Sequence, residues 1–221
     1  MIKPDTKPTT DDPRQRLLLA AEEQFAKDGF DGATVRNICD AAGMNVASVN
    51  YHFGDKERLY VEVVRNAHCS GMTDSAVPEW PAKMPAAEKL RHLIEHLVAH
   101  MTAPIRPSAI QLVMRELTNP TPAAHAVVED FIRPIAFALR DIILEFVPTM
   151  PERQRLMIGF SIVGQCLYYR QNPAVSRMLF GDDAMNAMTT AAISEHIVRF
   201  TFAALGLAKP YPKVVEKEGA L

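Results

Sequence analysis

Between Thr34 and Tyr60 the chain reads TVRNICDAAGMNVASVNYHFGDKERLY, and this run limits what the 221 residues can fold into more than any other part. Val35, Ile38, Ala41 and Ala42 recur at helical spacing, and so do Val46, Val49 and Phe53. Each segment is too short to be stable alone, since isolated helices below about 12–15 residues are marginal in water. They must therefore pack on one another, and Gly43 sits where the chain turns between them, because a positive φ costs little without a Cβ. Cys39 is small enough for close approach, while Ile38, Met44 and Val49 are apolar where the two segments meet. The result is a helix-turn-helix. Thr34 and Asn45 would cap the two helices, and helix N-termini can receive phosphates. The second helix would enter a major groove and present Val46, Ala47, Ser48 and Asn50.

Charge gives this reading no general help. The formal net charge is −2, and residues 1–70 hold nine Lys/Arg against eleven Asp/Glu. A broad basic coat is excluded, so any DNA contact must come from placed side chains and helix ends. The 48% hydrophobic content is that of a globular chain. No apolar run approaches the ~20 residues of a membrane span, and MIKPDTKPTTDDP has no apolar signal core. A cytoplasmic protein is expected. Cys39, Cys69 and Cys166 are far apart with no CxxC pair, so they are read as small apolar side chains rather than a disulfide or zinc site.

The remaining periodicity is helical throughout, and the expected fold is all-α. Residues 1–11 read as a flexible arm. Asp12-Pro13 starts a first helix carrying Leu17, Leu18, Ala21 and Phe25, which ends at Gly29. Asp55 caps a longer helix with Leu59, Val63 and Val64. A helix-turn-helix domain is therefore expected over 12–70, as three helices. Gly71 to Pro85 has the composition of a joint, and a helical bundle is expected over 71–205. Its helices run Ala86–Met101, Ser108–Leu117, Ala123–Phe146 with a kink or split at Pro134, Glu152–Arg170 and Asp183–Leu205. Residues 206–221 read as a tail.

The run from the first helix through YHFGDKERLY resembles the TetR family of transcriptional regulators. There Thr-Val-x-x-Ile-x-x-x-Ala-Gly, a short helix and Tyr-His-Phe-x-x-Lys are the recognisable part. The resemblance implies that Thr34, Ser48, Tyr51, His52 and Lys56 hold phosphates and that Val46 and Ala47 face base edges. Most members carry a tyrosine where this chain has Asn50 and a serine where it has Asn45. Asn45 keeps the capping chemistry, and Asn50 could read adenine. MRELTNPTPAAHAVVEDFIRPI and GQCLYYR resemble the C-terminal domain of the CecR-like branch. This implies a helical ligand pocket, a homodimer through the last two long helices, and a repressor released from operator DNA by a small molecule. Leu156, Ile158, Ile162, Val163, Leu167, Ile193, Ile197, Phe200 and Leu205 support it with more apolar surface than one packing face needs.

Other residues admit two readings. His92, His96 and His100 stand four apart, a chelating spacing. They flank the stripe Leu90, Leu93, Ile94, Leu97, Val98 and Met101, so a solvated face is favoured over a metal site. Arg115-Glu116 is a surface pair, a polar spot in the pocket, or a link to the DNA-binding domain. Gln165, Tyr168, Tyr169 and Arg170 suit a pocket or a dimer interface, with the interface slightly favoured. Met114, Met157, Met178, Met185 and Met188 read as core filler or as lining of an adaptable pocket. Trp80 reads as a local plug. Candidate effector contacts are His100, Met114, Arg115, Gln165, Tyr168 and Tyr169. No cofactor and no resident metal are expected. With no GxSxG, no HExxH and no evident carboxylate pair, an enzyme is not expected.

Overall fold

The computed structural model describes residues 12–69 and 76–209, and all regular structure among them is helical. The arm expected over 1–11, most of the tail and part of the joint lie outside the described residues. In chain order the helices are α1 (Pro13–Gly32), α2 (Val35–Ala42), α3 (Ala47–Phe53), α4 (Lys56–Cys69), α5 (Ala86–Thr102), α6 (Pro107–Thr118) and α7 (Pro122–Val127). A π-turn (Val128–Ile132) follows, then α8 (Arg133–Phe146), α9 (Glu152–Gln171), α10 (Pro173–Ala187) and α11 (Thr190–Ala204). No described helix is long and apolar enough to cross a membrane.

The described residues pack as two units, one of 12–69 with 104–133 and the other of 76–103 with 134–209. This grouping differs from a division near residue 70, because α6 and α7 belong with the first four helices. In the first unit Leu17, Ala21 and Phe25 of α1, Ile38 of α2, Val49 of α3 and Leu59, Val63 and Val64 of α4 form one core with Ala109, Leu112, Ala123 and Val127. Each large aliphatic side chain buried there contributes about 1.5–3 kcal/mol. α1 and α4 each carry more apolar surface than the two short helices can cover, and α6 and α7 cover the rest.

In the second unit α5 packs against both α9 and α11. Its stripe of Leu90, Leu93, Ile94, Leu97 and Val98 meets Leu139, Ile142 and Ile143 of α8, Ile162 and Cys166 of α9, and Ile193, Ile197 and Val198 of α11. Trp80 packs at the edge of this core.

Two boundaries differ from the sequence expectation. The run 183–205 is not one helix. It breaks at Met188 and Thr189, where Thr189 caps α11 by accepting from the Ala192 amide at 3.2 Å. The run 123–146 keeps helical dihedrals but widens to a π-turn directly before Pro134, where the Arg133 amide donates to the Val128 carbonyl. A proline ring crowds the carbonyl four residues back and offers no amide of its own, and a wider turn is one way to relieve both.

Candidate nucleic-acid interface

The helix-turn-helix is held by local bonds at every end. Asp12 accepts from the Arg14 amide at 3.0 Å, ahead of Pro13. The Thr34 hydroxyl accepts from the Asn37 amide at 3.1 Å, and Asp55 accepts from the Arg58 amide at 2.8 Å. Gly43 ends α2 in the left-handed region at φ 66°. Asn45 keeps its capping role although α3 begins two residues later: its carboxamide oxygen accepts from the Ser48 amide at 3.0 Å and the Ser48 hydroxyl at 3.1 Å. Ile38 and Val49 are fully buried between the helices and Cys39 nearly so.

One element of the turn has no signal in the motif. Arg16 of α1 donates to the Ala42 carbonyl at 2.5 Å, so a cation from another helix satisfies the C-terminal end of α2, where a positive charge also suits the helix dipole. The only sequence signal is a basic residue spaced off the buried stripe of α1.

The outer face matches the expected contact set. Thr34, Asn45, Val46, Ala47, Asn50 and Tyr51 are exposed, Tyr51 to 85%. Ser48, His52 and Lys56 are half-buried. Lys56 Nζ lies 4.6 Å from the centre of the Phe30 ring. From 41 to 54 the chain carries no Asp, Glu, Lys or Arg, so the face offers amides, hydroxyls and a methyl surface rather than charge. Arg36, exposed in the first turn of α2, is a cation beside Thr34 that the motif reading passed over.

Behind this face, buried polar links tie α6 to α1 and α4. Glu22 is 1% exposed and accepts from Arg106 Nε at 2.8 Å, Arg106 Nη2 at 2.6 Å and the Ser108 hydroxyl at 2.6 Å. This pairing raises the Arg106 guanidinium above its ordinary value. Arg115 Nη1 donates to the Phe25 carbonyl at 3.1 Å, passing over Gly29, where a Cβ would stand 2.7 Å from it. Glu116 is 3% exposed and accepts from the Tyr60 hydroxyl at 2.5 Å. Of the readings open for Arg115-Glu116, the link to the DNA-binding helices is the one the structure has. At the far end of α4, Arg65 pairs with Asp130 and the His68 ring lies 5.0 Å from Phe131, both on the π-turn. Burial lowers the His68 imidazole to about 4.

The six candidate effector residues are divided between the units. Met114 and Arg115 belong to the first, and His100, Gln165, Tyr168 and Tyr169 to the second. Gln165 donates to the Ser161 carbonyl at 3.1 Å, and the Tyr168 and Ser176 hydroxyls are 3.1 Å apart. Tyr169 packs on the second core, and burial raises its phenol. Arg170 donates to the Ala103 carbonyl at 2.8 Å and to the His100 carbonyl, closing the end of α5. Burial lowers its guanidinium below the ordinary value.

The histidine row is not uniformly solvated. His92 is exposed, whereas His96 Nε2 and His100 Nδ1 are buried. No group of three potential metal ligands occurs among the described residues. Cys39 and Cys166 are buried and Cys69 half-buried, all as free thiols. Burial raises the Cys166 thiol to about 12, which suits the apolar reading. The methionines divide. Met114 packs on the first core, but Met157, Met178 and Met188 are 56%, 85% and 43% exposed. They lie on helices whose outer side nothing in their own unit covers.

Residues 17–63 match the family profile of bacterial regulatory proteins of the tetR family, and residues 86–205 match that of the C-terminal domain of the HTH-type transcriptional dual regulator CecR. The chain is 25% identical over 195 residues to the dual regulator CecR of Shigella flexneri, spanning 83% of this chain and 87% of that one. It is 42% identical over 59 residues to the HTH-type transcriptional repressor AcnR of Corynebacterium glutamicum, but that match spans 27% of this chain and 30% of that protein. The match to AcnR of Corynebacterium efficiens likewise spans only 28% of that protein. Among solved structures, AibR in complex with isovaleryl coenzyme A and operator DNA superposes with a TM-score of 0.58 at 15% identity, covering 86% of this chain and 97% of that one. A bacterial regulatory protein of the tetR family from Rhodococcus RHA1 gives 0.59 at 18%, covering 90% and 97%. These two share the fold.

Proposed function

The chain belongs to the TetR family of bacterial transcriptional regulators, with a CecR-type C-terminal domain, and we propose that it acts in the cytoplasm as a ligand-responsive regulator, a repressor that a small molecule releases from its operator. The observation that carries this is the exposed, uncharged surface from Asn45 to Tyr51 on a rigidly capped helix-turn-helix. Such a surface reads base edges and groove shape. Thr34, Ser48, Tyr51, His52 and Lys56 fix the register on phosphates, while Val46, Ala47 and Asn50 face the bases.

A two-fold dimer through α9 and α11 sets two such heads about 34–36 Å apart, the spacing of successive major grooves. The effector binds in the second unit, with His100, Gln165, Tyr168 and Tyr169 as candidate contacts. Met114 and Arg115 serve the relay, since Arg115 already binds the α1 backbone. That AibR is solved with an acyl coenzyme A and operator DNA supports an organic small molecule as effector class. By linkage, an effector that weakens DNA binding is itself bound less tightly by the DNA complex.

The test is to select duplexes from a random pool with the full chain, then measure fluorescence anisotropy of the selected and scrambled duplexes at two salt concentrations. Preference for the selected duplex that survives the higher salt is expected. Equal, salt-labile binding to both, or none, would sink the proposal.

A further inference from the structure

α10 is the least supported helix of the second unit. Of its 15 residues only Ser176 is buried, whereas Val175, Met178, Leu179 and Phe180 are 53%, 85%, 66% and 63% exposed. Three consecutive residues sweep about 200° of a helix circumference, so no single flat neighbour covers 178–180. Its side-chain bond to α9 is that between Tyr168 and Ser176, at 3.1 Å. Arg177 spends its guanidinium on Asp182 and Asn186 inside α10. Gly181, at φ 81°, bends the chain directly after the apolar run, and nothing lies within 4 Å of where its Cβ would be. A short helix with so little packing is marginal in water by itself, and an apolar run of this size marks a contact surface.

The occupant is a second copy of this chain, on three grounds. α9 carries no Asp, Glu, Lys or Arg from 156 to 169, although Met157, Phe160 and Tyr168 on it are 56%, 71% and 45% exposed. A helix uncharged on all sides is covered on all sides. Gly159 and Gly164 have nothing within 4 Å above them, which leaves room for close helix approach. Finally, with about 150–250 Å² per large side chain, the exposed apolar area on α9, α10 and Phe200 of α11 comes to roughly 900 Å² per copy, against about 800 Å² per partner in a stable interface. An uncharged apolar face of that size is self-complementary under two-fold symmetry.

We propose that α10 is an arm that crosses to a second copy of the chain and seats Met178, Leu179 and Phe180 on that copy's uncharged α9 surface, with Gly181 as the bend that directs it. This rests on the dimer of the proposed function and adds a contact outside the α9 and α11 faces.

The test compares the full chain with Met178→Glu/Phe180→Glu, with the milder Leu179→Ala/Phe180→Ala, and with Phe160→Glu on α9. Sedimentation equilibrium and concentration-dependent hydrogen exchange are the readouts. Both arm variants are expected to keep the helical circular dichroism signal and raise the dimer dissociation constant at least about tenfold. The α10 amides should be protected in the wild-type dimer and exchange freely in the Phe160→Glu variant. A wild-type dimer whose dissociation constant the arm variants leave unchanged, or whose α10 amides exchange freely, would overturn the arm while leaving the dimer intact. A monomer at all concentrations would overturn both. A monomer that binds neutral lipid vesicles through α10 would assign the run to a membrane surface instead, and so refute the proposal.

Discussion

The hydroxyl of Tyr60 on α4 donates to the carboxylate of Glu116 on α6 at 2.5 Å, and the other carboxylate oxygen accepts from the Thr121 amide at 3.2 Å and the Thr121 hydroxyl at 2.8 Å. An anion that is 3% exposed thus has three donors, which is what a buried carboxylate needs. Burial and the adjacent carboxylate push the Tyr60 phenol well above its ordinary value, so it stays protonated and donating.

Replacing Tyr60 with Phe leaves the aromatic packing against Phe25, 4.8 Å away, and removes one of the three donors. The expected loss is about 1–3 kcal/mol of unfolding free energy, read as a lower urea midpoint at unchanged m-value. An unchanged midpoint would mean that water replaces the phenol.

Arg106→Ala strands Glu22, which keeps only the Ser108 hydroxyl as donor. A loss of about 3 kcal/mol is expected, the lower end for a broken buried pair because Arg106 is partly solvated. Adding Glu22→Gln should recover part of it, and urea unfolding of the single and double variants measures the coupling.

Gly29 is held at φ 74° beneath the Arg115 guanidinium. Gly29→Ala is expected to cost about 1–3 kcal/mol from backbone strain together with the clash. In an Arg115→Ala background the clash vanishes and the strain remains, so the Gly29→Ala penalty should shrink without disappearing. Thermal unfolding of the four combinations decides it.

At the DNA face, Tyr51→Ala and Lys56→Ala should weaken binding to every duplex alike, and Lys56→Ala should lower the salt slope by about one. Asn50→Ala should change the preferred sequence instead, by about 1–3 kcal/mol at the affected base pair. Anisotropy titrations over several salt concentrations separate the two behaviours. Unchanged affinity in both Tyr51→Ala and Lys56→Ala would refute this placement of the interface.

Burial holds the His68 imidazole at about 4, below the ordinary value of about 6.5. In that interval the unfolded chain binds the proton that the folded chain refuses, so stability falls as pH drops from about 6.5 towards about 4 and is unaffected by this group above that. His68→Phe, which keeps a ring against Phe131, should flatten the slope of melting temperature against pH across this window.

What the sequence determined by itself is local. Asp12, Thr34, Asn45 and Asp55 each bond an amide two or three residues onward, so the caps of the helix-turn-helix and its exposed face were legible from spacing alone. The helices of the second half were legible too, apart from the break at Met188 and Thr189, which no proline or glycine announces. Tertiary structure alone decided which surfaces meet. Periodicity shows that the stripe of α6 is buried but not against what, so its membership in the DNA-binding unit and the roles of Arg115 and Glu116 stayed open until α1 and α4 were seen to supply the partners. The same ambiguity hid the exposure of Met157 and Met178, since an apolar residue facing a second chain reads like one facing its own core. A hydrogen bond to a neighbour in sequence is encoded in a few adjacent residues, whereas burial depends on which distant segments the chain brings together.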